Sequence, residues 1–139
     1  MKLRRHEEGY TLTEMLVVIA IIGLLAAVLT PVIAGQLSRA RAKAARLQVD
    51  NVITAVEMFR SDVGRYPTPQ EGLSALATQP KEAEGWVGPY VRNTKDLRDP
   101  WGRPLQYRLN GQAAGPQVVS LGADGKEGGA GVDADIVAP

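Results

Sequence analysis

The sequence contains no cysteine and only one histidine. Without cysteine no disulfide can hold the fold together, and the redox compartment cannot be inferred from cysteine usage. The single histidine, His6, lies near the N-terminus, which argues against a histidine base in the folded part of the chain. The sequence also lacks a phosphate-binding glycine loop and a His/Cys cluster with zinc spacing. We therefore expect that the protein is not an enzyme.

A strong excess of charge of either sign is also missing. The 139 residues include 16 Lys and Arg against 15 Asp and Glu, which gives a formal net charge of +1. A protein that neutralises many phosphates needs a larger basic excess, so we expect no nucleic-acid partner. The length predicts one compact domain in addition to a targeting or anchoring segment.

A long apolar run is present near the N-terminus. Met15 to Leu29 contains no polar side chain, and the run continues through Pro31 to Ala34. A helix of about 20 residues spans ~30 Å, the thickness of a bilayer core. Three interpretations remain open: a secretory signal cut after Ala34, a plain membrane anchor, or a cut after Gly9 that leaves the helix on the mature protein. Basic residues flank both ends, so charge does not decide the orientation.

The carboxylate of Glu14 lies directly before this run, and ionisable groups at such positions usually mark function. The segment "EEGYTLTEMLVVIAIIG" resembles the leader of type IV pilins and pseudopilins. The resemblance implies that a prepilin peptidase cuts between Gly9 and Tyr10 and that Tyr10 is N-methylated. It also implies that Pro31 distorts the helix, and that Glu14 pairs with the Tyr10 amine of a neighbouring subunit in a filament. A buried carboxylate and a buried amine each need a partner. The alternative is that Glu14 only extends to the lipid headgroups.

Apolar residues continue at helical spacing from Gln36 to Val63, and Gly64 is a plausible helix stop. We predict one long helix whose first half lies in lipid or a filament core and whose second half packs on a small head. A basic cluster follows the apolar run and has three possible roles: a solvated face, a contact with membrane phosphates, or a contact with acidic residues of the next subunit. Its members are Arg39, Arg41, Lys43 and Arg46.

The head carries several local structural signals. Thr68, Pro69 and Glu71 predict a capped helix near residues 68–79, "DPWG" predicts a type I turn, and "LQYRL" and "QVVSL" predict two short strands. Trp101 is expected to pack onto the long helix. Together with the leader, "YPTPQEGLSAL" and "DPWG" followed by "QYR" resemble the major pseudopilins of type II secretion systems. The resemblance implies an α+β pilin-like fold, with a long N-terminal helix on a small antiparallel sheet and a C-terminal calcium loop.

The last block, "SLGADGKEGGAGVDADIVAP", is dominated by glycine and aspartate. Such a segment is either a flexible tail or a loop whose carboxylates and carbonyls bind Ca²⁺. It matches neither an EF-hand nor a set of stacked nonapeptide repeats. It does resemble the calcium loop of type II pseudopilins, which implies as ligands the Leu121 carbonyl, Asp124, Asp133 and Asp135. Gly131 stands where many relatives have an aspartate. We expect a structural role for the ion and no catalytic one.

The resemblance implies three segments: a cleaved leader (1–9), a transmembrane or filament-core helix (10–34), and a periplasmic head (35–139) with the calcium loop at 121–136. The expected function is the major subunit of a filament that drives folded proteins across the outer membrane. Implied partners are further copies of the chain, prepilin peptidase, minor pseudopilins, the inner-membrane assembly platform and membrane lipid. The protein would sit in the inner membrane with a cytoplasmic N-terminus. Alternatives are a type IV pilin or competence-type pseudopilin, or a secreted calcium-stabilised binding domain.

Overall fold

A computed structural model describes residues 9–109 and 115–139. Most of the predicted leader, and most of the predicted "NGQAAGP" connection between the two strands, lie outside the described residues. The regular elements are listed here in chain order: α1 (Leu12–Val63), a 3-10 helix (Gly72–Leu76), a second (Thr94–Leu97), β1 (Gln106–Leu109), β2 (Pro116–Ser120), a third 3-10 helix (Gly131–Asp133) and β3 (Ile136–Ala138).

The long helix is present as predicted. α1 has 52 residues and continues as α-helix through Pro31, so the expected distortion does not interrupt it. The residue before the proline, Thr30, donates its hydroxyl to the Ala26 carbonyl at 2.7 Å. The helix ends where Gly64 adopts a φ of +81° and donates its N–H to the Arg60 carbonyl at 2.8 Å. A left-handed glycine of this kind terminates helices without a steric cost.

The chain divides into two compact units, one ending at Leu37 and one beginning at Ser38. The described part of the first unit is almost entirely α1, and its side chains are exposed in the isolated chain. Among the described residues, α1 is the one helix that is long and apolar enough to cross a membrane. Its most apolar 18-residue stretch has a mean hydropathy of 2.9, and none of that stretch is buried. The most exposed apolar side chains include Leu12, Leu16, Ile19, Leu24 and Ile33.

The second unit has a hydrophobic core built on one stripe of α1. The stripe consists of Ala45, Val49, Val52, Val56 and Phe59, which recur every three or four residues and are at most 2% exposed. Its partners in the core include Leu73, Leu76, Ala83, Leu105, Val118, Ile136 and Ala138. Burying a side chain such as Phe59 stabilises the fold by roughly 1.5–3 kcal/mol. The core therefore explains why the second half of α1 is amphipathic.

The sheet is three-stranded and antiparallel, in the order β1-β2-β3. Tyr107 pairs with Val118, and Val119 pairs with Val137. The two predicted strands are confirmed to within one residue, and so is the fold class of a long helix with a small antiparallel sheet. β3 was not predicted, because three residues with the pattern buried, exposed, buried are too short for a clear alternation signal.

The predicted helix near residues 68–79 is much shorter than expected. Its start forms as predicted, with the Thr68 N–H donating to Glu71 Oε2 at 2.8 Å and the Glu71 N–H donating to the Thr68 hydroxyl at 3.2 Å. Helical structure is limited to a five-residue 3-10 helix, Gly72–Leu76. At the N-terminal end the physical reason is Gly72, whose φ of +55° separates the Thr68–Glu71 turn from the 3-10 helix that follows.

Glu71 also forms a two-pronged ion pair with Arg65. The two guanidinium nitrogens donate to the two carboxylate oxygens at 2.7 and 2.8 Å. Arg65 first, and the Thr68 N–H after it, lower the pKa of Glu71 to about 2 against the opposing effect of burial. The side chains of Arg65 and Glu71 are 33% and 19% exposed, so solvent screens the pair only in part.

We expect the head to lose stability in acid, because this pair is lost when Glu71 becomes protonated. Because the pKa of Glu71 in the folded chain lies below its model value of 4.5, its contribution is complete above pH 4.5 and disappears as the pH falls towards 2. Glu71→Gln keeps a capping side chain and removes the charge, so the free energy of unfolding should fall by on the order of 1–2 kcal/mol at pH 7 and by much less at pH 2. Urea unfolding at both pH values measures this, with the exposed Glu84→Gln as the matched control. An equal loss at both pH values would contradict the assignment.

Candidate assembly and calcium sites

The start of α1 is closed by a pair of reciprocal hydrogen bonds between Thr11 and Glu14. The Glu14 N–H donates to the Thr11 hydroxyl at 3.2 Å, and the Thr11 N–H donates to Glu14 Oε2 at 3.2 Å. The Thr11 hydroxyl also lies 3.2 Å from Glu14 Oε2 and donates to it. This arrangement is a capping box, which satisfies helix N–H groups that have no partner within the helix.

The capping box places the Glu14 carboxylate at the first turn of α1, close in sequence to the predicted new N-terminus. Tyr10 is 79% exposed, and Glu14 is exposed as well. The hydrogen bonds that Glu14 accepts from described residues all go to Oε2, which leaves Oε1 available for a second donor. Glu14 was predicted from the sequence, whereas Thr11 was not. The spacing T-x-x-E, which is the sequence signal of a capping box, was sufficient to find it.

The C-terminal segment after β2 is a closed loop. The Ala123 N–H donates to the Val132 carbonyl at 2.9 Å, and the Asp135 N–H donates to the Gly128 carbonyl at 3.1 Å. In return the Gly128 N–H donates to Asp135 Oδ2 at 3.0 Å. The first of these bonds joins the two sides of the segment, and the other two join its middle to the residue that directly precedes β3.

Two glycines in this loop allow the backbone to fold closely around Asp133. Gly122 and Gly129 have φ values of +64° and +85°. A Cβ atom at either position would lie 2.5 Å from the Asp133 carbonyl oxygen. Both the backbone conformation and the available space therefore require glycine there.

The four predicted calcium ligands have different surroundings. Leu121 offers a carbonyl that already accepts the Gly125 N–H at 3.2 Å, and the exposed Asp124 accepts the Lys126 N–H at 3.0 Å. Asp133 and Asp135 are half-buried. No three acidic or histidine side chains among residues 9–109 and 115–139 form a cluster that could hold a metal ion. The three predicted aspartates are thus not gathered into one carboxylate cluster.

Asp135 is nevertheless suited to a cation. Its Oδ1 atom is buried and has no hydrogen-bond partner within the described part of the chain, while Oδ2 is used by Gly128. An unpaired carboxylate oxygen in a buried position is costly, and a bound cation would remove that cost. Calcium accepts carboxylate and carbonyl oxygens in flexible geometry, and this loop offers both. The Asp135 carboxylate therefore fits a cation, with backbone carbonyls of the loop as further oxygen donors.

A buried network that the sequence analysis missed connects the "DPWG" turn to this loop. The turn itself is confirmed by the bond from the Gly102 N–H to the Asp99 carbonyl at 2.9 Å. The Asp99 side chain, 2% exposed, accepts the Arg103 N–H at 2.9 Å and the Ser120 hydroxyl at 3.2 Å. The Arg103 guanidinium in turn donates to the Gly122 carbonyl. This network fixes the entry to the loop, although the sequence signals only the turn.

Trp101, which belongs to the same turn, is half-buried and packs against the hydrophobic core. The Arg103 guanidinium carbon lies 5.6 Å from the centroid of its ring, within the range of a cation–π contact. The contact with the core agrees with the expected packing of Trp101 towards the long helix, since α1 supplies part of that core.

Comparison with known proteins gives a consistent result. A family model described as "Type II secretion system (T2SS), protein G" matches residues 32–139, more than half of the chain. A second, described as "Prokaryotic N-terminal methylation motif", matches residues 4–30. The two matches together include the capping box, the core and the C-terminal loop.

Three curated relatives are each described as "Type II secretion system core protein G". The Pseudomonas aeruginosa protein is 38% identical and the match covers 96% of this chain and 95% of the relative. The Vibrio cholerae protein is 37% identical, with 98% and 94% covered, and the Xanthomonas campestris protein is 35% identical, with 96% and 90% covered.

A solved structure agrees with these relatives. The crystal structure of the major pseudopilin from the type 2 secretion system of enterohaemorrhagic Escherichia coli matches with a TM-score of 0.61 and 28% identity. The match covers 74% of this chain and 86% of that structure. The family consists of structural subunits and is not a known enzyme family. The chain therefore belongs to the protein G family of type II secretion systems, the major pseudopilins.

Proposed function

We propose that the chain is made as a precursor, cut between Gly9 and Tyr10, N-methylated at Tyr10 and then assembled through α1 into a pseudopilus. The observation that carries this proposal is the first unit: a helix of membrane-spanning length whose apolar side chains are exposed in the isolated chain. Monomeric soluble proteins rarely expose an apolar surface of this size. Lipid covers it before assembly, and neighbouring α1 helices cover it afterwards.

Before assembly the protein resides in the inner membrane, with its N-terminus in the cytoplasm and the unit that begins at Ser38 in the periplasm. Prepilin peptidase acts at the cytoplasmic side. Minor pseudopilins and the inner-membrane assembly platform take part in assembly, and the growing filament moves folded proteins through the outer membrane. The family match and the apolar helix support this arrangement.

Glu14 has two roles in this proposal. In the single subunit its Oε2 caps α1 through Thr11. Cleavage gives Tyr10 a new terminal amine, and an ammonium group in an apolar surrounding needs a negatively charged partner. In the filament the Glu14 carboxylate accepts the amine of a neighbouring Tyr10. The two charges then compensate each other in an apolar bundle, where either one alone would be strongly destabilising.

Calcium is the proposed ligand of the loop between β2 and β3. The ion supplies a positive charge to which carboxylate and carbonyl oxygens converge. Asp135 would hold the ion through its buried Oδ1, and Asp124, Asp133 and the Leu121 carbonyl are further candidate ligands. The chain's own contribution is a loop closed by hydrogen bonds and by the Arg103 contact with Gly122. The ion stabilises the folded loop and takes part in no reaction.

The first test is the N-terminus of the mature protein. We expect mass spectrometry of the chain from a cell with a working secretion system to show a product that begins with N-methylated Tyr10. The reason is that the proposed cut precedes the apolar helix and frees the Tyr10 amine for methylation. The precursor, produced in cells without the prepilin peptidase, is the control. A mature chain that begins at Gly35 would show instead that the apolar run is a secretory signal and that the product is a released domain.

A further inference from the structure

Four basic side chains follow the apolar run on α1 and are unused by the fold. We call them the basic collar: Arg39, Arg41, Lys43 and Arg46. All four are exposed, and none forms an ion pair or a side-chain hydrogen bond with a residue that the structure describes. Asp50, one turn beyond Arg46, is too far for an ion pair in spite of its favourable spacing. We propose that the basic collar binds the anionic headgroups of the surrounding lipid leaflet before the subunit enters a filament.

The position of the collar along α1 matches the headgroup layer. Arg39 and Arg46 follow Ala34, the last residue of the apolar run, by five and twelve residues on the same uninterrupted helix. At ~1.5 Å per residue this distance is ~8–18 Å, and the headgroup layer outside the hydrocarbon core is about 5–8 Å thick. The collar therefore begins at the headgroups and ends within about one Debye length, ~10 Å, of them.

The direction of the side chains brings the charges closer to the lipid. On an α-helix the Cα–Cβ bonds tilt towards the N-terminus, and long side chains lean over the preceding turn. The N-terminal side of the collar is the apolar run. With this geometry the side chains of Arg39, Arg41 and Lys43 would extend towards the membrane, with their aliphatic stems along the helix and their charged groups within reach of the phosphates.

The angular distribution favours a surrounding leaflet over one protein partner. Arg39 and Arg41 are two residues apart, which is ~200° around a helix, so their charges lie on opposite sides. Both Arg39 and Arg41 are exposed, so a surrounding leaflet can contact both charges, whereas an acidic patch on a single neighbour contacts one side only. If the leader is removed as proposed above, its basic residues Lys2, Arg4 and Arg5 are lost, and the collar is then the basic cluster that borders the span. The inference rests on the proposed membrane insertion.

The test measures lipid selectivity of the mature chain in vesicles. The chain is reconstituted at low density in phosphatidylcholine and phosphatidylglycerol at about three to one, and electron spin resonance compares spin-labelled forms of both lipids. We expect a roughly 3–5-fold preference for phosphatidylglycerol, reduced by added salt. The variant Arg39→Gln/Arg41→Gln/Lys43→Gln should reduce that preference to about one-fold. The control Lys81→Gln/Lys95→Gln/Lys126→Gln, which removes three exposed charges from the head, should keep it.

Two results would overturn the proposal. One is a wild-type chain without lipid preference. The other is a collar variant that keeps the preference but fails to form filaments, which would assign the collar to acidic residues of the next subunit. Alkaline extraction of the same vesicles reports whether the chain is inserted at all. A chain that is not inserted would overturn both the proposed function and the collar proposal, whereas an inserted chain without lipid preference would overturn the collar proposal alone.

Discussion

Replacing Glu14 with Gln is expected to leave cleavage at Gly9 intact and to prevent filament assembly. Glutamine still serves as the third-position partner in a capping box, so the start of α1 should persist. The charge, however, is lost, and the Tyr10 amine of a neighbour would enter an apolar bundle without a partner. Removing one member of a buried ion pair costs about 3–5 kcal/mol, which in a polymer applies to every subunit. Negative-stain microscopy and sedimentation of filaments measure the loss.

Thr11→Ala is the matched control for this experiment. It removes the hydroxyl that caps α1 but keeps the Glu14 charge, so it should destabilise the helix start by only about 1 kcal/mol and still assemble. The two variants separate the two roles of the carboxylate. If Glu14→Gln assembles normally while Thr11→Ala does not, the carboxylate is a helix cap and the pairing with the Tyr10 amine is refuted.

Removing calcium is expected to produce the second large effect. A ligand present at about ten times its dissociation constant stabilises the folded state by ~1.4 kcal/mol, and at a hundred times by ~2.7 kcal/mol. In a domain of this size each kcal/mol corresponds to roughly 4–8 °C in Tm. The mature chain in detergent should therefore lose roughly 6–22 °C in Tm when a chelator is added, as measured by circular dichroism, and regain it with calcium.

Asp135→Asn tests which residue carries this effect. The variant should lose the calcium-dependent rise in Tm, because a neutral amide is a weaker ligand than the buried carboxylate. In chelator it should be at least as stable as the unmodified chain, since a buried charge without a partner is removed. Asp50→Asn, an equal change of charge at an exposed position on α1, should keep the full response. A wild-type chain whose Tm ignores calcium would leave the loop as a purely hydrogen-bonded structure.

Some of this protein is determined by short stretches of sequence. The 3.6-residue periodicity after Gln36, the glycine at position 64 and the apolar run before Ala34 predicted α1 nearly to its ends. These signals are reliable because helix hydrogen bonds join residues four apart and helix caps are equally local. The same holds for the Asp99 turn and for β1 and β2, which were predicted within one residue.

The remainder was decided by contacts between residues far apart in the chain. β3 exists because Ile136 and Ala138 are buried beside β2, and a three-residue segment has no signal of its own. The buried Asp99 carboxylate is satisfied by local donors from Trp101 and Arg103 and by the distant Ser120 hydroxyl. Arg103 in turn reaches Gly122, 19 positions away. Likewise, the pattern of glycines and aspartates suggested a calcium loop, but folding singled out Asp135 Oδ1 as the buried oxygen without a donor. The sequence alone thus determined the helix and the leader motif through local chemistry. The loop and the third strand required the tertiary structure, since burial and hydrogen-bond satisfaction are properties of the folded chain.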